Sequence, residues 1–121
     1  MKGQEHEGKY SVGQICAMTG VTRKTLFYYD KIGLLTPSER SGTQHFKFYD
    51  EEKVSMLKRI ITYREAGLGI SEIRDMLMEG KPDKLRILQN VRQRLLGEKD
   101  NVEQELRNLD LLIQKEAQIK T

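Results

Sequence analysis

Between Thr22 and Arg64 the chain gathers side chains that bind phosphate and base edges. Arg23 and Lys24 follow Thr22 directly, Thr25 comes next, and Tyr28 and Tyr29 lie one helical turn on. Arg40, Lys47 and Arg64 come later in the same stretch. Guanidinium and ammonium groups neutralise phosphate, while hydroxyls and phenols donate hydrogen bonds to its oxygens. An arginine fork also matches the major-groove edge of guanine. The chemistry on offer is recognition of a polyanion. Tyr28 and Tyr29 are neighbours, so on a helix they point about 100° apart. One is expected to anchor the core while the other turns its hydroxyl outward.

Charge placement supports this reading more than the total does. The 121 residues carry a net charge of only +3, with 37% hydrophobic and 32% charged residues. Residues 21–49 hold Arg23, Lys24, Lys31, Arg40 and Lys47 against Asp30 and Glu39, a local net of +3 with aromatics interleaved. That is the footprint of phosphate contact. The length suits one compact domain with an appendage. No run reaches the ~20 apolar residues that would cross a bilayer, and no secretory leader opens the chain. One cysteine cannot close an internal disulfide, which points to a reducing, cytoplasmic setting. That cysteine and two distant histidines make no tetrahedral metal cage, so neither a metal nor another cofactor is expected. Nor is there a nucleophile–base constellation or a phosphate-cradling glycine loop, which argues against an enzyme.

Local signals supply the elements that would hold these side chains. Residues 1–9 are polar and read as a mobile tail. Ser11 and Gln14 have capping-box spacing, Ile15, Met18 and Val21 form an apolar face, and Gly20 ends the helix. Cys16 falls near that face and reads as a buried structural thiol. Thr22 caps a second helix through Leu26 and Tyr29 to about Ile32, where Gly33 stops it. Two short helices around a glycine turn form a helix-turn-helix. Leu34 and Leu35 look buried. After Pro37, a turn at Ser41, Gly42 and Thr43 precedes a strand over His45–Tyr49, forming a small hairpin or wing. Asp50, Glu51 and Glu52 start a third helix that runs to Gly67. Ile70, Ile73, Met76 and Leu77 form a fourth, ending near Gly80.

Pro82 suits a helix start, and from there to about Ile119 nothing but Gly97 interrupts. Leu85, Leu88, Leu95, Val102, Leu106, Leu109 and Ile113 recur at alternating spacings of three and four, with charged Arg92 and Lys99 in mid-seam. A helix of roughly 55 Å cannot bury such a stripe on an 80-residue domain, so a second copy is expected to cover it. Residues 81–94 are net +4 and 95–121 net −2, which favours antiparallel pairing. The organisation expected is a tail (1–9), a DNA-binding domain (10–80) and a dimerisation helix (81–121).

The run Tyr10 to Thr22, then Thr25-Leu26-Phe27-Tyr28-Tyr29-Asp30, then Gly33-Leu34-Leu35-Thr36-Pro37 resembles the MerR family of bacterial transcription regulators. The likeness continues through Phe46-Lys47-Phe48-Tyr49 and Tyr63-Arg64-Glu65-Ala66-Gly67. It implies a mainly α fold, a winged helix-turn-helix domain followed by a long C-terminal helix in an antiparallel coiled-coil dimer. It also implies a regulator that grips a promoter palindrome as a homodimer, bending and untwisting it so that RNA polymerase reads both elements. With residues 81–121 free of cysteine and the sequence ending at Thr121, a short member without an appended effector domain is expected, its effector unspecified. The DNA contacts implied are Thr22, Arg23, Lys24, Thr25, Tyr28, Tyr29, Arg40, Lys47 and Arg64. Two departures stand out. Phe27 replaces the family's usual backbone-binding Arg, and Lys47 replaces the usual wing Arg, losing its bidentate fork. His45, where a small turn residue is common, would sit at the wing tip. The competing reading is an adaptor whose coiled coil recruits a partner protein while the winged domain binds DNA weakly, non-specifically or not at all.

Overall fold

The computed structural model describes residues 8–42, 46–80 and 83–119. The expectations for the tail over residues 1–7, for Thr43 and His45 and for Pro82 fall outside the described residues. The elements are β1 (Lys9–Ser11), α1 (Val12–Thr19), α2 (Arg23–Lys31), β2 (Glu39–Ser41), β3 (Phe46–Asp50), α3 (Glu51–Glu65), α4 (Ile70–Leu77) and α5 (Lys84–Ile119). They divide into two units, Met1–Glu79 and Gly80–Thr121.

In the first unit, caps fix where each helix begins. Ser11 and Gln14 close the capping box of α1, with Ser11 N–H donating to Gln14 Oε1 at 2.8 Å. Gly20 ends α1 in the left-handed conformation, φ 79°, and its N–H donates to the Cys16 carbonyl. Gly33, φ 73°, does the same after α2, and Leu34 N–H returns to the Tyr29 carbonyl at 2.9 Å. That reversal drives Leu34 and Leu35 into the core. Asp50 caps α3 by accepting the Lys53 N–H at 2.9 Å, and Glu51 and Glu52 complement the helix dipole.

The sheet has order β1-β3-β2, antiparallel throughout, with Tyr10 opposite Tyr49 and Arg40 opposite Lys47. Lys9, assigned to the tail from sequence, belongs to β1. Three residues carry too little alternation to be seen without their partner strand. Side chains from every layer fill one core: Ile15, Leu26, Tyr29, Leu35, Tyr49, Leu57, Ile60 and Ile73. Met18 departs from expectation, being 47% exposed, because α1 buries Val12 and Ile15 instead. Cys16 is half-buried, not enclosed. The Arg74 guanidinium donates to the carbonyl of Ile32, tying α4 to the end of α2.

The second unit is the continuous 36-residue helix α5. Gly97 neither breaks it nor packs closely, since a Cβ there would meet nothing within 4 Å. Leu85, Leu88, Leu95, Val102, Leu106, Leu109 and Ile113 are all exposed. Leu111, Leu112 and Ile119 add apolar surface outside the stripe read from sequence.

Candidate nucleic-acid interface

The face that α2 presents follows from which residues it buries. Leu26 and Tyr29, three apart, point into the core, so Arg23, Lys24, Phe27 and Tyr28 turn to solvent. Thr22 Oγ1 accepts the Thr25 N–H at 3.1 Å and lies 3.0 Å from Thr25 Oγ1, fixing the start of the helix. The first turn carries no acid, and the positive end of the helix dipole lies beside two cations. An anion approaching the start of α2 meets the dipole with Lys24 on one flank and Arg23 on the other.

Arg64, in the last turn of α3, joins this face. Its Nη1 donates to the Tyr29 hydroxyl at 2.7 Å, and its guanidinium lies 5.9 Å from the Tyr29 ring centroid. The two tyrosines divide as the 100° rule demands: Tyr29 is 2% exposed and Tyr28 50%. Tyr29 can therefore reach a ligand only through the hydroxyl it shares with Arg64. Lys24, Thr25, Tyr28, Tyr29 and Arg64 line one groove of about 410 Å³. Thr22, Thr25 and Arg64 line a second on the adjoining side. The fold thus brings six of the nine sequence-assigned residues to two grooves that share Thr25 and Arg64. Arg23 lies on the other flank of α2, in a groove with Phe27, Phe46 and Lys47.

Arg40 and Lys47 are placed differently. Arg40 donates two hydrogen bonds to the Asp30 carboxylate, at 3.0 and 2.7 Å, and Lys47 Nζ lies 3.0 Å from the same carboxylate. Lys47 also stands 4.2 Å over the exposed Phe27 ring. The Arg40 hydrogen bonds hold the Asp30 carboxyl below the usual carboxylate range, against the opposing effect of burial, with Lys47 assisting. Reciprocally, Asp30 raises Arg40. Sequence reasoning missed Asp30. Its signal was present, an acid within the basic block, but the partners converge only through the β2–β3 register. Among the described residues no cluster of His, Cys, Asp or Glu could hold a metal ion, and no helix is long and apolar enough to cross a membrane.

Residues 10–79 match the family described as MerR HTH family regulatory protein. The transcriptional activator TipA of Streptomyces coelicolor is 43% identical over 74 residues, covering 61% of this chain and 29% of TipA. CueR of Bacillus subtilis, a transcriptional regulator, is 30% identical over 72% of this chain and 61% of its own. The chain thus spans under a third of the length of the first curated relatives it matches. Among solved structures, the N-terminus of the Bacillus subtilis multidrug transporter activator, MtaN, superposes with TM-score 0.74 at 28% identity, over 86% of this chain and 97% of that one. EcmrR, solved in complex with DNA, has the same fold, with TM-score 0.80 at 23% identity over 93% of this chain and 41% of that one.

Proposed function

The chain belongs to the MerR HTH family of regulatory proteins, and from this we propose that it regulates transcription by binding promoter DNA in a sequence-specific manner. The observation that carries this is the exposed α2 face with Arg64 beside it, unopposed by acid in the first turn. A face of this kind fits the roughly 12 Å major groove, with the N-terminal residues of the helix nearest the bases. Arg23 and Lys24 read base edges or adjoining phosphates. Thr22, Thr25, Tyr28 and the Arg64–Tyr29 pair hold the backbone. Arg40 and Lys47 border the surface with their charge taken up by Asp30.

The protein works as a homodimer through the exposed stripe of α5, antiparallel because that sets its basic half against its acidic half. Two α2 helices then grip a palindromic site, bend and untwist it, and so present the promoter to RNA polymerase, in the cytoplasm. Deforming the duplex costs a few kcal/mol and is offset by the contacts it permits. Relatives described as transcriptional activators and a DNA complex of the same fold support this reading.

Gel shifts on the DNA upstream of its own gene test it. Wild-type protein is expected to bind that duplex far better than a scrambled one, and with strong salt dependence. Arg64→Ala is expected to weaken binding to every sequence and lower the salt slope by about one unit. Arg23→Ala is expected to change preference at one base pair by about 1–3 kcal/mol. Equal binding to both duplexes by wild type would favour an adaptor instead.

A further inference from the structure

Arg40 and Lys47 are direct cross-strand partners in the wing. Like charges in that position repel. The structure resolves the repulsion with one carboxylate from another element: Asp30 of α2 accepts both Arg40 nitrogens and lies against the Lys47 ammonium. The Asp30 side chain is only 9% exposed and that of Lys47 21%, so these two are shielded from solvent, while Arg40 closes the clasp from the exposed side. The ring of Phe27, three residues before Asp30 on the same helical face, also lies against the Lys47 ammonium, at 4.2 Å. One face of α2 therefore holds both wing strands.

We propose that Asp30 is a positioning residue for DNA recognition: it fixes the wing against α2 and keeps Arg40 and Lys47 off the phosphates. The inference rests on the DNA-binding reading. Two cations tied to a carboxylate add little to sequence-independent attraction, which grows with each phosphate neutralised. Discrimination is then left to the first turns of α2, presented at a fixed angle to the wing. The carboxylate thus lowers affinity for arbitrary DNA and preserves alignment on the correct site.

Equilibrium binding of the full chain to two duplexes, its own upstream DNA and a scrambled sequence of equal length, tests this between 50 and 200 mM salt. Asp30→Asn keeps the shape and removes the charge. On scrambled DNA its salt slope is expected to steepen by about 0.9 for each released cation that reaches a phosphate. Its preference for the upstream duplex is expected to fall about fivefold or more, the loss that misreading one base pair produces. Arg40→Gln, at an exposed position, decides the matter even if the first variant does not fold. The wild-type slope should persist in it, because Arg40 is engaged by Asp30. A slope flattened by about 0.9 in Arg40→Gln would place Arg40 on a phosphate and overturn the proposal. So would wild-type slope and preference in a folded Asp30→Asn protein. Should wild type bind both duplexes equally, the transcription-regulator reading falls, yet the slopes on scrambled DNA still judge the clasp.

Discussion

The Tyr49 hydroxyl is buried without a hydrogen-bond partner among the described residues, and burial above all pushes its pKa up to about 12. Its ordinary value is 10.0, so above that pH the unfolded chain gives up the phenolic proton while the folded chain keeps it. The stability tied to this group is therefore complete below pH 10 and lost as pH climbs toward 12. Tyr49→Phe removes both the unpaired oxygen and the titration. It is expected to stabilise the fold by about 1 kcal/mol and to flatten the alkaline limb of the stability curve. Thermal melts at pH 7 and near pH 11 check this; a lower neutral-pH melting temperature for the variant would mean that the hydroxyl has a partner. The sequence could place Tyr49 in the wing strand, but nothing local distinguishes a satisfied phenol from an orphaned one. That depends on what the remote elements bring to it.

Helices were legible because their signals are local. Ser11 with Gln14, Gly20, Thr22, Gly33 and Asp50 each act within four residues of themselves, and each caps or ends a helix as its chemistry requires. Leu26 and Tyr29 likewise disclosed which side of α2 faces inward. The short strand β1 was not legible, because it exists through pairing with β3, about 40 residues away. The clasp was hidden for the same reason: Asp30, Arg40 and Lys47 sit on three elements, and only the strand register brings the cations together. Joining those elements has a pH signature. The Asp30 pKa is lowered from 3.8, first by the Arg40 hydrogen bonds, so the unfolded chain takes up the proton at higher pH than the folded one. The clasp's contribution is complete above the ordinary carboxylate range and disappears as pH falls through the lower folded-state value. Acid titrations are expected to show a shallower loss of stability for Asp30→Asn than for wild type below about pH 4, where the unfolded Asp titrates. Equal acid limbs would contradict an ion-paired Asp30.

The proposed assembly rests on an imbalance between the two units. Met1–Glu79 encloses its own core, whereas α5 leaves the stripe from Leu85 to Ile113 exposed over 36 helical residues. Apolar surface of that extent, at spacings of three and four interrupted by Arg92 and Lys99, is what the proposed second helix would cover. Leu106→Glu, in the centre of the acidic half, is expected to convert a dimer into monomers in sedimentation and to abolish binding to the upstream duplex without unfolding the first unit. A variant that remains dimeric would remove α5 as the seam. In the proposed homodimer two α2 helices would meet DNA at matching turns, and hydroxyl-radical footprinting of the upstream DNA reads that geometry directly. The proposed homodimer is expected to give two protected patches related by two-fold symmetry, their centres a whole number of helical turns apart, about 10–10.5 base pairs or a multiple of it. A single patch, or even protection along the whole duplex, would contradict it.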